Sequence, residues 1–228
     1  MRVRSLVVDR LVALVLLPLL APVIGVLGWR VRAADGGPPL IGLARMGRAG
    51  TEFKMWKLRS MRAEGADGAA RGSVITAADD DRVTPIGATM RRWRLDELPQ
   101  VWNVLRGDMV VLGPRPETPA MVDLDDPRWA AVLAARPGIT GPTQLLVERW
   151  EASVLASGSA ADHYREEILP VKLAVDQWYV EHATPVTDVQ VVCSMFQRFV
   201  LGRDETWVER VVRGRVPEAG AVPCASAG

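Results

Sequence analysis

From Leu11 to Trp29 the chain runs 19 residues without a single charged side chain. As a straight helix this run extends about 28 Å, close to the thickness of a bilayer's hydrocarbon core. Two prolines four residues apart disturb it. Pro18 leaves the carbonyl of Leu14 without its helical donor, Pro22 does the same to that of Pro18, and both rings press on the preceding turn. A kinked helix is the expectation. Arg2, Arg4 and Arg10 precede the run, while Arg30, Arg32, Arg45 and Arg48 follow it. A spanning helix shows basic bias at its cytoplasmic end only. Two-sided basic flanks favour a re-entrant segment that enters one leaflet and returns, broken at Pro18 and Pro22. An ordinary transmembrane helix and a cleaved signal peptide are the competing readings, and no small-x-small cleavage site supports the latter.

With 228 residues in all, one compact domain plus an anchor is the natural division. A net charge of +1 disfavours a general polyanion binder, nucleic acid included. Cys193 and Cys224 are far apart and indicate no disulfide framework; His163 and His182 form no ligand cluster. Residues 1–35 read as the anchor and 36–202 as the main domain. Residues 203–228 read as a charged amphipathic stretch passing into a disordered Pro/Ala/Gly tail.

Inside the domain, Leu40 to Met61 reads as two short strands around a turn, and Arg62 to Asp81 as an exposed mobile loop. Thr84 caps a helix that starts at Pro85 and reaches Trp93. The next helix is expected to begin at Asp96, turning Leu98, Val101, Trp102 and Leu105 to one apolar face and ending at Gly107. Met109 to Leu112 follows as a strand stopped by Gly113-Pro114. Asp126-Pro127 starts a helix to Ala135, and Ala160 to Glu181 is helical with a disturbance at Pro170. Thr184 caps a helix from Pro185 to Leu201, whose apolar side includes Val189, Val192, Met195, Phe196 and Phe199. That stripe is either core or a face lying on a bilayer.

Chemistry points to Leu95-Asp96-Glu97-Leu98-Pro99-Gln100. Two adjacent carboxylates stand beside Arg91, Arg92 and Arg94 and ahead of Gly113-Pro114-Arg115-Pro116. Arginine pairs with phosphate, and a carboxylate can attack phosphorus or bind a divalent cation. The plain alternative for Asp96 is a helix cap. Helical spacing cannot aim all three arginines at one ligand. Arg91, five residues before Asp96, is the choice for the site, which leaves Arg92 and Arg94 for anionic lipid head groups. Lys57 and Arg59 read equally as phosphate ligands and as edge-strand charges that discourage aggregation. Gly138 and Gly141 read as turn formers.

These segments, taken in order, resemble the bacterial sugar transferases, the small monotopic phosphoglycosyl transferases. The resemblance rests on Asp9-Arg10, Phe53 to Met61, Arg82 to Gly87, the Asp96-Glu97 segment, Gly113 to Pro116, Pro137 to Gly141 with Gln144, and Asp176 to Val180. It implies an α+β chain with one small mixed α/β catalytic domain, a re-entrant helix and surface-lying amphipathic helices. Asp96 would attack the β-phosphorus of a UDP-sugar, release UMP, and pass the sugar phosphate to a polyprenyl phosphate. Glu97 would complete the dyad and handle the acceptor's proton. Mg²⁺ would sit at Asp96. Lys57, Arg59, Arg91, Arg115, Pro116 and Gln144 would line the donor site. The expected setting is the cytoplasmic face of a bacterial inner membrane, among its lipids, with a homodimer left open. A catalytically inactive adaptor on the same fold and a phosphodiesterase are the rival functions. Ala21 and Pro142 stand where relatives often carry Ser and a bulky residue.

Overall fold

The computed structural model describes residues 6–62, 82–155, 160–203 and 205–223. Among these residues helices dominate, and the strands form two separate two-stranded sheets. The mixed helix-and-strand class expected from the sequence is what the structure shows. Residues 63–81, where the mobile loop was expected, lie outside the described residues.

Strands β1 (Leu40–Met46) and β2 (Glu52–Leu58) pair antiparallel with Leu40 opposite Leu58. Helix α2 (Pro85–Arg92) starts as expected, with the Thr84 hydroxyl accepting from Gly87 N at 3.0 Å. The next segment departs from expectation. Leu95–Glu97 is a 3₁₀ turn, and helix α3 begins only at Gln100 and runs to Arg106. Pro99 has no N–H to return to the Leu95 carbonyl, which accepts from Leu98 N instead, and the chain tightens there. Asp96 is therefore not a helix cap. The later start also rotates the buried face. Gln100, Val101, Asn103 and Val104 turn inward, while Trp102 remains 49% exposed. Asn103 faces β2, accepting from Trp56 N at 3.0 Å and donating to the Lys54 carbonyl at 2.7 Å.

Gly107 ends α3 in the left-handed region, φ 87°, as its position in the sequence predicts. Strand β3 (Val110–Leu112) then pairs in parallel with β4 (Gly138–Thr140). Gly138 is no turn former: a Cβ there would lie 2.1 Å from the Gly113 nitrogen, so glycine is required by backbone contact. Helix α4 (Pro127–Leu133) is capped by Asp126, and α5 spans Pro142–Leu155. The disturbance expected near Pro170 is a π-helical turn, Tyr164–Ile168, between α6 (Ala160–His163) and α7 (Leu169–His182). Helix α8 (Pro185–Phe199) is capped by Thr184, and α9 covers Trp207–Arg215.

Two corrections concern the ends of the chain. Val208, Val212, Val216, Ala219 and Val222 pack into the same core as Leu146, Ile168, Val175 and Val191. Through residue 223 the expected disordered tail is thus part of the domain. At the other end, Leu6–Asp35 is one 30-residue helix, α1, about 45 Å long. It is helical across Pro18 and Pro22 without interruption, so the expected break is not seen. Each ring removes one donor, and the flanking hydrogen bonds sustain the helix.

Helix α1 is long and apolar enough to cross a membrane, and little of its apolar stretch is buried. That separates it from the central helix of a soluble core. Val8, Leu11, Val15 and Leu19 are exposed along one face. The other face docks on the domain at both ends. Near its start, Val111 N donates to Asp9 Oδ1 and Arg10 Nη2 donates to the Arg106 carbonyl, each at 3.0 Å. At its end, Asp35 receives both Nη groups of Arg59, and Val31 packs with Leu58 and Met90.

Candidate active site

The 3₁₀ turn between α2 and α3 presents the two carboxylates to different surroundings. Arg94, in the left-handed region at φ 53°, enters the turn, and both Asp96 and Glu97 are buried. Glu97 gathers the cations. Its Oε1 accepts from Lys57 Nζ at 2.9 Å and Arg115 Nη2 at 2.8 Å, and its Oε2 from Arg94 Nη1 at 3.3 Å. Among the described residues, Asp96 has only Lys57 within ion-pair reach, at 4.0 Å, and accepts no side-chain hydrogen bond.

Electrostatics separates the pair accordingly. Burial opposes ionisation of Glu97, but Arg115, Lys57 and Arg94 outweigh it and hold the carboxyl well below its ordinary range. Burial pushes the Asp96 carboxyl up, and Glu97 adds to this against the pull of Lys57 and Arg91. The Lys57 ammonium is lowered by burial and by Arg115, despite Glu97 and Asp96 beside it. Two neighbouring carboxylates with opposite shifts are the signature of divided roles.

Arg115 reaches Glu97 because its loop is held from behind. Gly138 N donates to the Pro114 carbonyl at 2.8 Å. Asp176 on α7 accepts from the Arg115 backbone N–H and the Thr143 hydroxyl, and its burial pushes that carboxyl up to about 7. Next along the loop, Glu117 accepts from Tyr164 Oη at 2.6 Å and pairs with Lys172 at 2.7 Å. On the other side, Arg91 Nε donates to Ser60 Oγ at 2.8 Å, within electrostatic range of Asp96.

Of the residues singled out from sequence, Lys57, Arg91, Asp96, Glu97 and Arg115 thus come together. Three others are placed differently. Arg59 lies beyond the end of β2 and is fully buried, taken up by Asp35 and by the Pro38 carbonyl at 2.7 Å. It ties α1 to the domain. Gln144 uses both ends of its amide on β4 and the turn into α5, accepting from Gly141 N at 3.0 Å and donating to the Ile139 carbonyl at 3.2 Å. Pro116 is buried and contributes rigidity rather than a polar group. Sequence reasoning gave Arg94 to lipid head groups, whereas it pairs with Glu97 and with Glu148 on α5. The signal lay in its place, two residues before Asp96. Asn103, Asp35 and Ser60 were overlooked; only Asn103 carried a clue, as a polar residue on the inner side of an apolar helix.

No group of three or more His, Cys, Asp or Glu side chains suited to a metal occurs among the described residues. The oxygens of Glu97 are occupied by cations. A Mg²⁺ ion fits only as one held by a single carboxylate, Asp96, with the remaining oxygens from a ligand's phosphates and water.

Compared with known families, the chain belongs to the bacterial sugar transferases, whose pattern matches residues 2–202 and so takes in α1, the dyad and α8. Among its relatives is a putative undecaprenyl-phosphate N-acetylgalactosaminyl 1-phosphate transferase of Bacillus subtilis, 43% identical over 117 residues, covering 51% of this chain and 64% of that protein. An Aeromonas hydrophila protein named UDP-N-acetylgalactosamine-undecaprenyl-phosphate N-acetylgalactosaminephosphotransferase is 30% identical over 85% of this chain and 43% of its own length. The exopolysaccharide production protein ExoY of Sinorhizobium fredii is 31% identical over 86% of this chain and 84% of its own. The chain thus spans less than two thirds of the first two relatives.

Proposed function

We propose that this chain moves a sugar 1-phosphate from a UDP-sugar to a membrane polyprenyl phosphate through a covalent intermediate on Asp96. The observation that carries the reading is the division within the dyad. Glu97 collects Lys57, Arg94 and Arg115, while among the described residues Asp96 accepts no side-chain hydrogen bond and has Lys57 at 4.0 Å. Asp96 attacks the sugar-bearing phosphorus; an Asp96 oxygen–phosphorus bond forms, the diphosphate bridge breaks, and UMP leaves with the bridging oxygen. A phosphate oxygen of the acceptor then attacks the same phosphorus and returns Asp96 as a carboxylate. Lys57, Arg91 and Arg115 offset charge on the transferring group. With its depressed affinity for protons, Glu97 organises Lys57, Arg94 and Arg115 and is poorly suited to act as a base. A bound Mg²⁺ would neutralise diphosphate charge beside Asp96. Names of relatives agree with the substrates, including a Caulobacter vibrioides protein called UDP-glucose:undecaprenyl-phosphate glucose-1-phosphate transferase.

The membrane geometry follows from the docking of α1. Asp9 and Asp35 both contact the same domain, so the two ends of α1 share one side of the bilayer, and the exposed face between them enters lipid from that side. This supports a monotopic attachment, with α1 not crossing the bilayer, at the cytoplasmic face of a bacterial inner membrane, where nucleotide sugars are made. The apolar face of α8, with Val186, Val189, Val192 and Phe196 exposed, supplies a second lipid contact.

The test is UMP release from a panel of UDP-sugars by the purified full chain with Mg²⁺ and undecaprenyl phosphate. Asp96→Asn should abolish release while leaving the melting temperature near that of the wild type, because the amide keeps the shape and loses the nucleophile. Wild-type turnover in that variant removes Asp96 from this role.

A further inference from the structure

A slot of about 350 Å³ lies between α1, α3, the β3–β4 pair and α8. Val12 and Leu16 of α1, Val101 and Val104 of α3, Ile139 of β4 and Met195 of α8 make its apolar walls. Val12 and Leu16 are each 40% exposed, so the α1 wall of the slot borders the exposed apolar face of that helix. Its polar lining is Arg94, Glu97, Thr140 and Gln144, so the slot reaches the dyad through Glu97.

Two features of that polar lining point to a ligand. The Thr140 hydroxyl is buried with no hydrogen-bond partner among the described residues, a state that costs free energy unless something fills it. Arg94 is held in a left-handed backbone that a non-glycine residue adopts only at a cost. Its guanidinium spans from Glu97, which stays buried, to Glu148, which is 48% exposed. An exposed carboxylate on a guanidinium fork is weakly held and readily exchanged for a better anion.

We propose that the slot seats the first isoprene units of a lipid monophosphate acceptor, and that Arg94 and Thr140 receive its phosphate as Arg94 releases Glu148. The inference rests on the transfer reaction proposed above and adds where the acceptor binds and which residues recognise it. An almost wholly apolar channel leading to one guanidinium suits a hydrocarbon tail with an anionic head and does not suit a nucleotide sugar, whose polar groups would lie unpaired along the walls. In the second half-reaction, a non-bridging oxygen of the acceptor's phosphate dianion forms the new bond to phosphorus, and the Asp96 oxygen–phosphorus bond breaks. A dianion requires no proton acceptor, which matches a Glu97 that binds protons weakly.

The two half-reactions provide the test. Exchange of labelled UMP into UDP-sugar reads the donor half alone, and KM for undecaprenyl phosphate in micelles reads the acceptor. Arg94→Gln should raise the acceptor KM about tenfold or more relative to the KM for UDP-sugar, a loss on the order of 1.4 kcal/mol. Glu148→Gln, which weakens the competing partner, should lower the acceptor KM about threefold. Equal losses in UMP exchange and full turnover for Arg94→Gln would mean that Arg94 acts only through Glu97, and would overturn the inference. If Arg94→Gln does not fold, Glu148→Gln decides alone, and an unchanged acceptor KM overturns it. A wild-type chain that releases no UMP from any UDP-sugar would instead remove the transfer reaction itself, before either variant is compared.

Discussion

Two side chains of the same chemistry, adjacent in sequence, end up unlike because of three cations. Glu97 faces Lys57, Arg94 and Arg115 and ionises readily; Asp96 is buried with less compensation and holds its proton longer than an ordinary aspartate. The nucleophile works only as a carboxylate, so the rate of the UMP burst should climb with pH through a range above the usual aspartate value of about 3.9. A burst rate already flat at pH 4 would contradict the shift. In Lys57→Met the ammonium that favours the charged form of Asp96 is gone, so the acid limb should move to higher pH. Arg115→Lys keeps a charge but loses the planar fork aimed at Glu97. Removing a contact that strengthens in the transition state should cost on the order of 2–4 kcal/mol, roughly thirty- to a thousandfold in kcat/KM for UDP-sugar. A fall in melting temperature with normal kcat/KM would make Arg115 structural. Which cations gather at Glu97 was partly legible, since Lys57 and Arg115 stood out by chemistry while Arg94 reads from sequence as a lipid contact. Arg59 was not, because its partner Asp35 is 24 positions away and only folding brings them together.

Elements were readable where their signals are local. Thr84, Asp126 and Thr184 announce helix starts because a cap and its N–H lie within three residues of each other. Gly107 announces an end for the same reason. The β3–β4 pairing left no such mark: three-residue strands carry no period, and their contact depends on Gly113 and Gly138 meeting across 25 positions of chain. Pro142, a familiar first helical residue, did signal α5, although it was read only as a departure from the family. Helix α1 was legible in composition but not in shape, since two prolines argue for a break and docking on the domain favours continuity. Its topology can be measured. With Cys193 and Cys224 replaced, single cysteines at Ser5 and Ala34 should both resist a membrane-impermeant thiol reagent applied outside intact cells. Labelling at one position and not the other would show an ordinary span, and the contacts of Asp9 and Asp35 with one domain could then not coexist in the membrane.

Across the whole molecule, the largest disagreement between sequence and structure is where the domain ends. Pro, Ala and Gly after residue 215 looked like a tail, yet valines at 208, 212, 216 and 222 complete the core around Val191 and Ile168. Their spacing is helical only in its first half, so periodicity alone could not reveal the packing. One ion pair makes the dependence testable. Arg198 on α8 and Glu209 on α9 pair with both side chains buried, and Glu209 also closes a capping box, accepting from Thr206 N at 2.6 Å and its hydroxyl at 2.8 Å. Neutralising one member strands the other charge away from water, which costs about 3–5 kcal/mol. For a chain of this size each kcal/mol lowers the melting temperature by about 2–4 °C. Glu209→Gln should therefore melt roughly 6–20 °C below the wild type, while the folded fraction keeps its UMP-exchange activity because α9 packs chiefly on α5, α8 and the turn after it. A tail that merely trails from Gly202 predicts no change in melting at all, and a calorimetric scan of the two proteins in the same detergent separates these outcomes.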